Sequence, residues 1–113
     1  MPAAARANGA DQVFSKTGVG KNCGFPVQTV TGTGTCQVYV NGSIAVRGDD
    51  LVGTHPFGGC GPDTSTMNEG STTVFIGGKK MARIGDNYTS DNIIISGSTT
   101  VFVGGWQSNN YMI

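Results

Sequence analysis

Cys23, Cys36, Cys60 and His55 are the side chains of this sequence with the strongest claim on metal chemistry. Three thiolates and an imidazole form, by type, the donor set of a closed tetrahedral zinc site. The same residues also allow a Cys23–Cys60 disulfide with one thiol left over, and His55 as an ordinary loop histidine. Cys23-Gly24 and Cys60-Gly61 stand at similar distances ahead of Gly34 and Gly70, and His55 precedes Cys60 in His-x-x-x-x-Cys spacing. Cys36 lies inside a strand-like run, where a buried thiol behaves as a small hydrophobe.

Little else in the inventory points to a reaction. Ser, His and Asp are present without a nucleophile elbow or paired catalytic motif. Gly18-Val-Gly20 and Gly32-Thr-Gly34 look like fragments of a phosphate loop, but no helix follows either. No enzyme activity and no small-molecule substrate are expected. Seven Lys and Arg balance seven Asp and Glu, so the chain has no excess positive field for nucleic acid. Met1-Pro-Ala-Ala-Ala-Arg6 lacks the apolar centre of a signal peptide, and no apolar run reaches the length of a spanning helix.

The elements that must position these residues are written as a repeat. Gly34-Thr-Cys-Gln-Val-Tyr-Val-Asn-Gly42, Gly70-Ser-Thr-Thr-Val-Phe-Ile-Gly-Gly78 and Gly97-Ser-Thr-Thr-Val-Phe-Val-Gly-Gly105 are three versions of one phrase. Each is a β-branched and aromatic run closed by Asn-Gly or Gly-Gly, the signature of a hairpin arm with its tight turn. A return strand follows the first two turns: Ile44-Ala-Val-Arg-Gly-Asp49 and Met81-Ala-Arg-Ile-Gly-Asp86. Pro2-Ala-Ala-Ala-Arg6 opens the chain with a similar phrase, whereas Trp106 to Ile113 follows the third turn without one. The chain therefore starts on a return strand, as expected if its terminal segments close against each other.

With 113 residues and 19 glycines this is one small all-β domain, residues 1–113, in which glycines serve turns and close backbone approach. Asp11 to Val30, Leu51 to Glu69 and Asn87 to Asn92 read as loops between strands. Alternation turns Cys36, Val38 and Val40 inward with Val74, Ile76, Val101 and Val103, and turns Tyr39, Phe75 and Phe102 to the opposite face. Arg6, Arg47 and Arg83 recur at matching places, where each guanidinium can bond loop carbonyls or an aspartate and tie one repeat to the next. Asp11, Asp49 and Asp86 are the natural partners, or cap the turns that follow.

The opening Pro-Ala-Ala-Ala-Arg, the Gly-Ser-x-x-Val strands and the Gly-Asp exits, in fixed order from Pro2 to about Gly105, strongly resemble the PAAR-repeat family. The resemblance implies a small pointed β-cone of short hairpins with pseudo-threefold internal repeats. It implies a structural role: one tip per trimer, capping a trimeric β-helical spike in a contractile phage tail or type VI secretion system. Transient contact with a target membrane follows, and a place at a virion tail tip or the outer end of an injection apparatus. A structural metal near the apex is also implied, zinc ahead of iron, on Cys23, His55 and Cys60. Cys36, Asp91 or a water remains open as the fourth ligand. The hairpin turns should then form the base, with Val40, Asn41, Gly42, Ile44, Ile76, Gly77, Met81, Val103 and Gly104 as candidate spike contacts or, for the apolar ones, core. A small zinc-dependent enzyme or metal-binding effector carried by such a machine is the alternative.

Overall fold

The structure is a computed structural model, and it describes residues 1–15, 27–53, 65–89 and 92–104. Its elements are β1 (Gln12–Ser15), β2 (Val27–Val30), β3 (Tyr39–Val40), β4 (Ser43–Ile44), β5 (Phe75–Ile76), β6 (Lys79–Lys80) and β7 (Asn92–Ile94). No helix occurs among the described residues, so they are all-β as expected.

The first two repeats fold as written. β3 and β4 pair across Asn41-Gly42, and β5 and β6 pair across Gly77-Gly78. All four turn residues have positive φ, from 52° to 84°, as a two-residue type I′ turn requires. The third repeat closes differently. Phe102 pairs antiparallel with Ala3, and the Val103 N–H donates to the Pro2 carbonyl at 2.8 Å. The chain's first strand thus serves as the return strand of its last repeat. Matching bonds mark all three units: Ala45 N–H to Val38 O at 2.8 Å, Met81 N–H to Val74 O at 3.0 Å, and Ala4 N–H to Val101 O at 2.9 Å.

The return strands then bond to one another in a closed cycle. Ala5 N–H donates to Ala82 O at 3.1 Å, Ala82 N–H to Val46 O at 2.9 Å, and Val46 N–H to Ala5 O at 3.1 Å. All three residues are buried. Small side chains are needed there, because three backbones converge on one place. Two apolar clusters lie along this cycle. One gathers Ala5, Ala7, Val13, Val46, Val52, Met67, Ala82, Tyr88 and Ile94. The other gathers Ala4, Cys36, Val40, Ala45, Met81 and Val103, with Ile44, Ile76 and Val101 against it.

Two segments depart from the sequence expectation. Asp11 to Val30 contains β1 and β2, and Asn87 to Asn92 runs into β7; the three strands form one antiparallel sheet in the order β2-β1-β7. The reason is tertiary. Val13 and Ile94 are fully buried in the first cluster, and β1 pairs with β7 across most of the chain's length, a contact that local propensity cannot signal.

Close approach is tight at Gly32 and Gly53, where an added Cβ would lie 2.4 Å from the Leu51 and Val30 carbonyl oxygens respectively. Gly42, by contrast, faces open space and is constrained only by its positive φ. Gly53→Ala is therefore expected to cost about 3 kcal/mol or more, since backbone must move. Gly42→Ala should cost about 1 kcal/mol. Urea unfolding of the two variants checks the ranking.

Candidate docking surface

In the second and third repeats a hydroxyl aims the entering strand. Ser71 Oγ accepts the N–H groups of Thr73 and Val74 at 3.0 and 2.9 Å. Ser98 Oγ does the same for Thr100 and Val101 at 3.1 and 2.9 Å. These are side-chain-closed turns, which explains why the repeat begins Gly-Ser. In the first copy Thr35 directs its hydroxyl to Asp50 Oδ1 instead.

What the hairpins present is aromatic. Tyr39, Phe75 and Phe102 occupy the same strand position in the three copies and are 63%, 52% and 49% exposed. This is the outward face that alternation assigned to them. Alternation fails one step earlier: Val38 and Val74, expected inward, are 43% and 37% exposed. The Val38 and Val74 carbonyls still accept the Ala45 and Met81 N–H groups, so pairing reaches both valines while their side chains stay at the surface. Singly exposed apolar residues are ordinary on a protein surface; the three aromatic ones stand out because they recur at one position of the repeat.

Of the expected base contacts, Val40, Met81 and Val103 lie in the second apolar cluster, with Ile44 and Ile76 partly buried against it. Asn41, Gly42 and Gly77 are exposed at the turns, and Gly104 is half-buried. The aromatic residues beside them were legible as an outward face, yet sequence reasoning did not enlist them as contacts.

Arginine–aspartate clamps hold the return strands. Arg6 binds Asp11 through Nε at 3.0 Å and Nη2 at 2.8 Å. Arg83 binds Asp86 through Nε at 3.0 Å and Nη2 at 3.2 Å, and both residues are buried. In each case the arginine's own backbone N–H joins the carboxylate, at 2.6 and 2.8 Å. Burial pushes the Asp86 carboxyl above its ordinary pKa, with the Arg83 guanidinium pulling the other way. The expected Arg47–Asp49 pair is not formed. Asp50 takes that place, accepting the Arg47 N–H at 3.0 Å, while Asp49 pairs with Lys79 at the surface at 2.7 Å. Asp49 has φ 70°, and the hydrogen-bonded Lys79 ammonium lowers its carboxyl pKa. The slot equivalent to Asp49 is Gly85, φ 89°, so the two exits align one residue away from their Gly-Asp lettering.

The expected metal ligands Cys23, His55 and Cys60 lie outside the described residues, as does Asp91. Cys36 is described: its thiol is buried and free, and donates to Ala45 O at 3.4 Å. It belongs to the apolar interior, as a small hydrophobe would. Among the described residues no group of three His, Cys, Asp or Glu side chains converges as a metal site.

Comparison with known proteins adds one finding. Residues 64–108 match the family model described as the PAAR motif. No curated protein matches the chain.

The buried clamp carries a prediction. Arg83→Met strands the Asp86 carboxylate and is expected to lose about 3–5 kcal/mol of stability. Lys79→Met removes only a surface pair and should leave denaturation unchanged. Parallel guanidinium melts of the two variants give the comparison.

Proposed function

The PAAR motif over residues 64–108 supports membership of the chain in the PAAR-repeat family, which is associated with spike-tip proteins of type VI secretion and related systems; from that premise we propose that this chain caps a trimeric spike. One chain would sit on the blunt end of a β-helical trimer, sharpen it, and lead it through a target envelope when a sheath contracts. The observation that carries this reading is the matched exposure of Tyr39, Phe75 and Phe102 on three units whose backbones close in a cycle. A monomer that repeats one apolar contact three times suits a partner with three identical subunits. The work done is mechanical, so the tip has to be stiff rather than reactive. The closed cycle and the buried clamps contribute that stiffness in the described part.

Zinc on Cys23, His55 and Cys60 belongs to the same proposal. Thiolate and imidazole donors suit a closed structural site, and metal binding there would add folding free energy to segments with few apolar residues of their own. Burial of Cys36 among apolar side chains argues that it stays outside the ligand set.

Mixing the purified chain with a trimeric β-helical spike protein tests the docking. One chain per trimer is expected by light scattering. Replacing Tyr39, Phe75 and Phe102 by serine one at a time should weaken binding by about 1–2 kcal/mol each, and together should abolish it. Absence of any complex sinks the capping role; undiminished binding by the triple variant moves the contact elsewhere. Metal analysis tests the second element. About one zinc per chain is expected, lost in Cys23→Ser and Cys60→Ser and retained in Cys36→Ala. A metal-free wild type, or zinc lost from Cys36→Ala, would refute the assignment.

A further inference from the structure

Three seams join the three hairpin units, and one of them is built differently. At the seam between the first and second units, Arg47 Nη1 donates to the Ile76 carbonyl at 3.2 Å. At the next, Arg83 Nη1 donates to the Gly104 carbonyl at 2.9 Å, joined there by the Ser71 hydroxyl at 2.6 Å. Arg6 is the matching residue at the third seam. Its guanidinium stays on Asp11 and makes no bond across the seam among the described residues, its side chain being 24% exposed, although the Arg6 backbone bridges to Ala45.

Asn41 supplies the side-chain bonds of that seam instead, beside the backbone bonds Ala7 N–H to Ile44 O at 2.6 Å and Val46 N–H to Ala5 O at 3.1 Å. Its Nδ2 donates to Thr100 Oγ1 at 2.9 Å, and its Oδ1 accepts the Ser98 hydroxyl. Position 41 is the counterpart of Gly77, the first residue of the second turn, and of Gly104 in the third repeat. An added Cβ at Gly77 would lie 2.7 Å from Arg47 Nη1, so the arginine occupies the space a side chain there would need. At that seam glycine at the turn leaves room for the arginine; at Gly104 an added Cβ would instead meet Met1 Sδ at 3.2 Å. The third unit also lacks a covalent turn between its paired strands, because Phe102 meets Ala3 from the far end of the chain.

The geometry points to the third seam as the place where the folded chain opens first, with Asn41 as the latch that holds it shut. Asn41 is thus a positioning residue for the Phe102 strand. Opening releases Pro2–Ala4 from Val101–Val103 while the hairpins of the first and second units stay paired through their own turns. This inference rests on the seams alone and stands apart from the spike-tip reading.

Native-state hydrogen exchange on the full chain tests it with built-in controls. Ala4, Ala45 and Met81 donate equivalent bonds in the three units, at 2.9, 2.8 and 3.0 Å. Ala4 is expected to exchange at least about tenfold faster than both others, because protection reports local opening. Asn41→Asp keeps the shape and the turn conformation but removes the donor to Thr100. It should speed Ala4 and Val103 about another tenfold and leave Met81 unchanged. Equal rates at the three amides in the wild type would overturn the inference. So would an Asn41→Asp effect as large at Met81 as at Ala4, since that reports a global loss of stability rather than a seam.

Discussion

Three backbone hydrogen bonds, Ala5 to Ala82, Ala82 to Val46 and Val46 to Ala5, set the terms for everything around them. A cycle of this kind has no free edge, so it cannot be extended by a fourth strand. Because each donor is buried, leaving one unpaired would cost the full desolvation of an amide. The cycle also dictates composition. Three chains meeting at hydrogen-bond distance leave room for alanine and valine, and the larger side chains appear one layer away, as Met67 and Tyr88 on one flank and Met81 on the other.

The clamps follow from the same geometry. Each return strand leaves the cycle through an arginine whose own N–H bonds an aspartate: Asp11, Asp50 or Asp86. The aspartates therefore serve the backbone first and the guanidinium second. That order explains why the Asp50 contact survives although Arg47 has turned its guanidinium to Thr35 and Ile76. A buried ion pair contributes little net stability by itself, whereas a buried carboxylate that captures a strand-end N–H fixes where the strand stops.

Much of this was written in the chain. The Asn-Gly and Gly-Gly turns and the aromatic outward face come from local chemistry, and the likeness of the opening phrase to the return strands marked it as one of them. The sheet of β1, β2 and β7 was hidden because Gln12–Ser15 finds β7 nearly eighty positions away, and no turn residue announces such a partner. Asp50 was hidden by spelling. Arg-Gly-Asp looks like the tail of Arg-Ile-Gly-Asp, but reach from the arginine N–H selects the residue three positions on, and positive φ falls on Asp49 where the other copy places Gly85. Val38 and Val74 show the limit of alternation, which says which face a side chain takes but not whether anything covers it. The expected ligands Cys23, His55 and Cys60 lie outside the described residues, so their reading still rests on residue type and resemblance.

The pairing of Ala3 with Phe102 has a kinetic consequence. During synthesis the first strand leaves the ribosome with no partner available, and its last partner emerges about a hundred residues later. At roughly 5–20 residues per second, the small apolar stretch Pro2–Ala5 waits seconds in the open before the cycle can form. Contacts of such long sequence separation also place the molecule among slow folders for its size. A stretch that is mostly alanine is well suited to that wait, because it offers little sticky surface to misassociate while the rest of the chain is made.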